Sequence, residues 1–152
     1  MNTNKSHYGG CGCGCVRYET IGNPTRAGIC HCRYCQTRTG SAFGISVYFE
    51  KNRVKILNGE LKRYNFKNSS GRSFENRFCK KCGTTVFWTV ELRQGLIGIA
   101  GGTFDPPTFW FDTEFEVFCR TKAPFVETNI NDKHETTDYY KPLIIESDAL
   151  SG

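Results

Sequence analysis

Nine cysteines in a chain of 152 residues constrain this fold more than any other feature, because they are clustered. They fall into Cys11-x-Cys13-x-Cys15, Cys30-His31-Cys32-x-x-Cys35 and Cys79-x-x-Cys82, with Cys119 alone. The opening Met1-Asn2-Thr3-Asn4-Lys5 lacks the apolar core of a signal peptide, so a soluble, cytoplasmic protein in a reducing compartment is expected. There, clustered cysteines are more often metal ligands or catalytic thiols than disulfides.

The spacings suggest two separate centres. In an extended segment residues i and i+2 face the same way, with Cα atoms roughly 6.6 Å apart, so Cys11 and Cys13 can share one ion. Cys79-Lys80-Lys81-Cys82-Gly83 has the spacing of a zinc knuckle, a tight turn in which Gly83 supplies backbone unhindered by Cβ. Two plus two ligands complete a closed tetrahedral site, which is structural because it offers no position for substrate. Lys80 and Lys81 would partly offset the charge of four thiolates. Cys30, Cys32 and Cys35 form a second, three-thiolate cluster, and three protein ligands on zinc leave the fourth position for water or a substrate atom. Tetrahedral sulfur sites also accept iron.

Three residues near these clusters are less determined. If Cys30 and Cys32 point one way along an extended segment, His31 points the other, which favours backbone contacts or a proton relay over a ligand role. Cys15 is either a small buried apolar side chain or a fourth ligand that closes the second centre. Cys119 follows the alternation of Phe115 and Val117 and reads as a strand residue packed against a neighbour.

Glycine, Asn and Pro punctuate the chain at short intervals, and the intervening runs favour β-branched and aromatic residues, so the fold class is all-β. Strands are expected over 15–21, 42–49, 54–57, 61–66, 84–90, 96–100 and 114–119. Asn58-Gly59 suits a tight turn that would make the third and fourth runs a hairpin. Asn68-Ser69-Ser70-Gly71 reads as another turn, and Gly101-Gly102 with Pro106-Pro107 marks a loop, either a cover for a site or a plain connector. The length suits one domain. The net charge of +5 is scattered, so it offers no dense basic face for nucleic acid, and no apolar run is long enough to cross a membrane.

Four motifs together resemble the glutathione-dependent formaldehyde-activating enzyme family, whose wider group includes centromere protein V. They are Gly10-Cys11-Gly12-Cys13-Gly14-Cys15-Val16-Arg17-Tyr18-Glu19, Cys30-His31-Cys32-Arg33-Tyr34-Cys35, Phe78-Cys79-Lys80-Lys81-Cys82-Gly83 and Gly102-Thr103-Phe104-Asp105-Pro106. The resemblance implies a β-tent of antiparallel sheets stapled by zinc. It implies a structural zinc on Cys11, Cys13, Cys79 and Cys82 and a catalytic zinc on Cys30, Cys32 and Cys35, two per chain. The resemblance runs from about Tyr8 to Phe125, within a domain over 7–127, and implies carbon-sulfur lyase activity on a glutathione or similar thiol adduct of formaldehyde or another small carbonyl compound. From Thr128 onward the chain is polar and without periodicity, which suggests a surface-hugging or partly disordered polar tail over 128–152. Glutathione is anionic, so Arg17, Arg33 and Arg38 are candidates to pair with its carboxylates. The alternative is a non-catalytic zinc module for protein or nucleic-acid interaction, which would hold both metals with four protein ligands.

Overall fold

Strict alternation along the strands divides the buried side chains between two faces of one large sheet. In the computed structural model, which describes residues 3–137 and 140–143, two sheets carry the chain. The smaller is antiparallel and three-stranded, in the order β1 (Ser6–Gly10), β2 (Arg17–Ile21), β5 (Val54–Asn58). The larger has eight strands, in the order β11 (Asp132–Lys133), β10 (Phe115–Val117), β3 (Arg26–Cys30), β4 (Gly44–Glu50), β9 (Leu96–Ala100), β8 (Thr85–Val90), β7 (Ser73–Cys79), β6 (Leu61–Lys67). The protein is mostly β, with one α-helix, α1 (Arg33–Thr39), among the described residues.

The main core lies on the face of the large sheet that carries Val47, Phe49, Phe87 and Ile99. Val47 pairs with Ile99, and Ile99 with Phe87, so these three apolar side chains form a row across β4, β9 and β8. Tyr18 from β2 covers this row; it is fully buried, its ring meets Phe87 edge-on at 5.1 Å, and its hydroxyl is 2.8 Å from Thr103 Oγ1. The loop after β9 packs here as well: Phe104 and Phe111 are buried in the same cluster, and the Asp105 N–H donates to Tyr8 O.

The large sheet is mixed rather than antiparallel throughout, because β10 runs parallel to both β3 and β11. Parallel neighbours need a long connection, and β4 to β9 lie between β3 and β10 in the chain. Asn58-Gly59 makes a turn but not the expected hairpin: β5 pairs with β2, while β6 pairs with β7. The turn hands the chain from one sheet to the other. Gly59 has φ +94°, and a Cβ there would collide with the backbone of Cys15 and Val16, so this glycine lets two backbones cross closely. Asn68 to Gly71 does join paired strands, β6 and β7, with Asn68 Oδ1 accepting from the Arg72 N–H. Of the tail expected over 128–152, Asp132–Lys133 forms β11, and residues 138–139 and 144–152 lie outside the described residues.

Candidate metal centres and the adjoining cavity

The segment carrying Cys11 and Cys13 and the β7–β8 turn bring four sulfurs together. Cys11, Cys13, Cys79 and Cys82 place their Sγ atoms within 4.8 Å of one another. Cys11 and Cys13 sulfurs are 3.5 Å apart, and those of Cys13 and Cys79 3.8 Å, too far for a disulfide and close to the roughly 3.8 Å expected for thiolates sharing a tetrahedral zinc. Backbone N–H groups serve these sulfurs: Val16 donates to Cys11 Sγ, and Lys81 and Cys82 to Cys79 Sγ. Hydrogen bonds from Thr84, side chain first and then backbone, with one from the Cys13 backbone, pull the Cys82 thiol down to about 5. Lys80 does not turn its charge to the sulfurs, since its ammonium pairs with Glu60 at 2.9 Å.

Cys30 ends β3, Cys32 caps α1, and Cys35 lies in its first turn, so the second trio straddles a strand-to-helix transition. The three sulfurs lie within 4.8 Å of one another. Cys32 Sγ accepts the Cys35 N–H at 3.4 Å, the role a serine or aspartate oxygen plays at other helix starts. Cys35 is held well below the usual thiol range by its contacts with Cys30 and Cys32, and further by Arg38. The same crowding raises Cys30 well above that range. Arg38 lies with Nη2 3.9 Å from Cys35 Sγ and its guanidinium 4.1 Å from the centre of the Trp88 ring.

Among the described residues no fourth His, Cys, Asp or Glu joins this trio. Cys15 sits elsewhere, half-buried against the main core. His31 is fully buried, with Nε2 2.6 Å from Glu116 Oε1. Its backbone is held too, by Val117 O and by the Thr121 hydroxyl. Cys119 is not a strand residue: β10 ends at Val117, Phe118 adopts φ 55°, and Cys119 opens a 3₁₀ turn. Its sulfur lies with His31 and Glu116. The Lys122 ammonium, 2.8 Å from Glu116 Oε1, already supplies a cation to that cluster.

The three-sulfur cluster forms part of the wall of a cavity of about 370 Å³. Of the three candidate arginines, Arg38 alone lines it; Arg17 forms a bidentate pair with Asp105, and Arg33 is exposed and donates to Gln36. A second cleft of about 410 Å³ lies on the other side of Arg38, between Gly44, Thr84 and the Gly101-Gly102 start of the loop after β9. Aromatic rings make up much of the remaining cavity wall, set among polar side chains such as Asn68, Ser70 and Asn76, and spacing arguments centred on cysteine passed them by. The available signal is period two: Ser46 and Tyr48, Tyr64 and Phe66, and Trp88 and Val90 each share a strand face.

Fold and sites together define a mostly β protein with two sulfur clusters able to hold metal ions, one of them at a cavity. The family model for the glutathione-dependent formaldehyde-activating enzyme matches residues 6–121, and the chain belongs to that family. A crystal structure of a Rhodobacter sphaeroides protein shares the fold: it is 19% identical, with a TM-score of 0.53 over 70% of this chain and 96% of that one. Family membership supports a glutathione-related, formaldehyde-activating function. No helix among the described residues is long and apolar enough to cross a membrane.

Proposed function

We propose that the chain is a zinc-dependent carbon-sulfur lyase-like enzyme of the cytoplasm, acting on the adduct of glutathione, or a similar thiol, with formaldehyde or another small carbonyl compound. Cys11, Cys13, Cys79 and Cys82 would hold a structural zinc, and Cys30, Cys32 and Cys35 a catalytic one, within a domain spanning 7–127 and followed by a polar tail. The donor chemistry fits, since all seven ligands are cysteine sulfurs within tetrahedral reach of their neighbours.

One observation carries this reading: the Cys30–Cys32–Cys35 trio borders a cavity and gathers no fourth protein ligand among the described residues. When bound there, zinc supplies an open position that favours the thiolate form of an incoming thiol, the species that attacks a carbonyl carbon. Arg38 contributes a guanidinium beside the same sulfurs and has no carboxylate partner among the described residues, so it is available to an anionic thiol. The aromatic side chains of the cavity set an apolar surface beside the reacting groups. The reaction balances without a further reactant. The sulfur–carbon bond forms, the thiol gives up its proton, the carbonyl π pair moves to oxygen, and that oxygen takes a proton; the reverse direction breaks the same bond.

The test is the interconversion of glutathione plus formaldehyde with S-hydroxymethylglutathione, followed by NMR, alongside metal content. The expected result is two zinc ions per chain and an exchange rate above the uncatalysed one. A chain that holds both metals and leaves the exchange rate unchanged overturns the reading.

A further inference from the structure

The cavity beside the three-sulfur cluster has walls that a one-carbon aldehyde does not need. A molecule of that size is close to water, roughly 30 Å³, and would leave most of the 370 Å³ empty. The volume falls instead in the range of sites for whole small molecules.

One wall is a stack of rings. Phe66 stacks with Tyr34, Tyr64 and Phe74, each ring centre 5.4 Å from its own, with planes inclined by 29°, 20° and 25°. Facing the same interior are Tyr48 and Trp88, which meet edge-on, with the Trp88 indole N–H donating to Tyr48 Oη at 3.2 Å. Sheet register explains why so much ring surface fits on one face. Trp88 and Tyr48 both pair with Gly98, where a Cβ would collide with the indole, and Phe115 pairs with Gly28, where a Cβ would collide with its ring. Glycine at these two positions lets large rings lie flat across the sheet.

The wall of Tyr34, Tyr64, Phe66 and Phe74 carries no charge; the charged side chains lining the cavity are Arg38, Arg72, Glu91 and Lys141. Arg72 is engaged by Glu91 and by Lys141 O, so Arg38, next to the sulfurs, is the guanidinium left for an anion. Carboxylates or an ammonium set directly against the tyrosine and phenylalanine rings of that wall would lose hydration that the rings do not replace. An uncharged planar ring would lose nothing of the kind and would gain stacking contacts.

We propose that the carbonyl component carried into this chamber bears an aromatic ring, so that the thiol adduct is of an aryl aldehyde or a comparable planar, apolar carbonyl compound. The thiol end stays at Cys30, Cys32 and Cys35, and the ring lies along the wall formed by Tyr64 and Phe66. This rests on the thiol-adduct reading above. The bond changes are those already written, with the aryl aldehyde in place of formaldehyde.

Stable thioethers separate the two claims. Glutathione, S-methylglutathione and S-benzylglutathione are titrated calorimetrically into the metal-loaded protein, with benzyl alcohol as a probe of the chamber alone. The expected result is S-benzylglutathione binding about tenfold or more tighter than S-methylglutathione, as burial of a ring predicts. Tyr64→Ala should shrink that advantage, with metal content read beside it; Tyr64 is 59% exposed, so its removal tests the chamber without emptying the core. Equal affinities for the benzyl and methyl thioethers, with glutathione still binding, overturn the aromatic assignment and leave the thiol-adduct reading standing. Binding of benzyl alcohol with no binding of glutathione or either thioether overturns the thiol reading and supports the aromatic chamber.

Discussion

His31 and Glu116 form a fully buried pair, Nε2 to Oε1 at 2.6 Å, directly behind the strand end that carries Cys30. Glu116 also meets Lys122 at 2.8 Å through Oε1 and accepts from Thr128 Oγ1 at 2.5 Å through Oε2. One carboxylate therefore ties the sulfur-bearing turn to the segment after β10. Burial alone would raise its carboxyl, but hydrogen bonds from Lys122, Thr128 and His31 outweigh that and bring it to about 2.

Glu116→Gln should destabilise the fold at neutral pH, because it removes the buried carboxylate on which Lys122, Thr128 and His31 converge. A carboxyl lowered from 4.5 to about 2 contributes stability that is present above 4.5 and is lost as pH falls towards 2. Thermal unfolding of both proteins from about pH 7 to about pH 3 checks this. The gap in Tm should narrow on acidification; a gap that stays constant removes the charge pairing as its cause.

Cys79→Ser or Cys82→Ser should abolish soluble folded protein, since binding at a structural site is coupled to folding. The four sulfurs link segments far apart in sequence, with Cys13 and Cys79 in contact across 66 positions, so losing the link frees a long loop. Circular dichroism and elemental analysis of the soluble fraction are the measurements. A folded variant with unchanged Tm would show that these sulfurs are not a staple.

Cys32→Ser should keep the fold while losing one metal and the exchange activity. Serine is a good helix cap, so the bond from the Cys35 N–H survives the change. Metal content read beside Tm separates the two roles: a stable protein that keeps both ions and full activity contradicts the catalytic assignment.

Cys15→Ala should leave zinc content unchanged, because Cys15 packs against the main core and not beside Cys30. Its cost is that of a half-buried small side chain, about 1 kcal/mol or less. Loss of one ion, by elemental analysis, would identify Cys15 as a ligand.

The sulfur clusters were legible in the sequence because ligand geometry is local: i, i+2 in a strand and i, i+3 in a tight turn leave few arrangements. Several strands were harder to read. β1, with Gly9 and Gly10, and β3, with Gly28, carry residues that strands usually avoid; Gly9 packs under the Tyr18 ring and Gly28 under Phe115, so tertiary contacts override local preference. β7 holds Glu75, Asn76 and Arg77 and is fixed by partners on both sides, β6 and β8. Helix α1 is too short for a periodic signal, and its stop, Gly40 in the left-handed region, is clear only once the cap at Cys32 is seen. Glu116 could not be assigned from sequence, because its partners His31, Lys122 and Thr128 converge only in the folded chain.

Tyr64 and Phe66 ride on an outer strand of the large sheet, while the seven sulfurs lie elsewhere in the chain. A single codon change at either ring can therefore recast which guests are admitted without disturbing the ions, so descendants of this scaffold can diverge in diet while inheriting the same reactive heart.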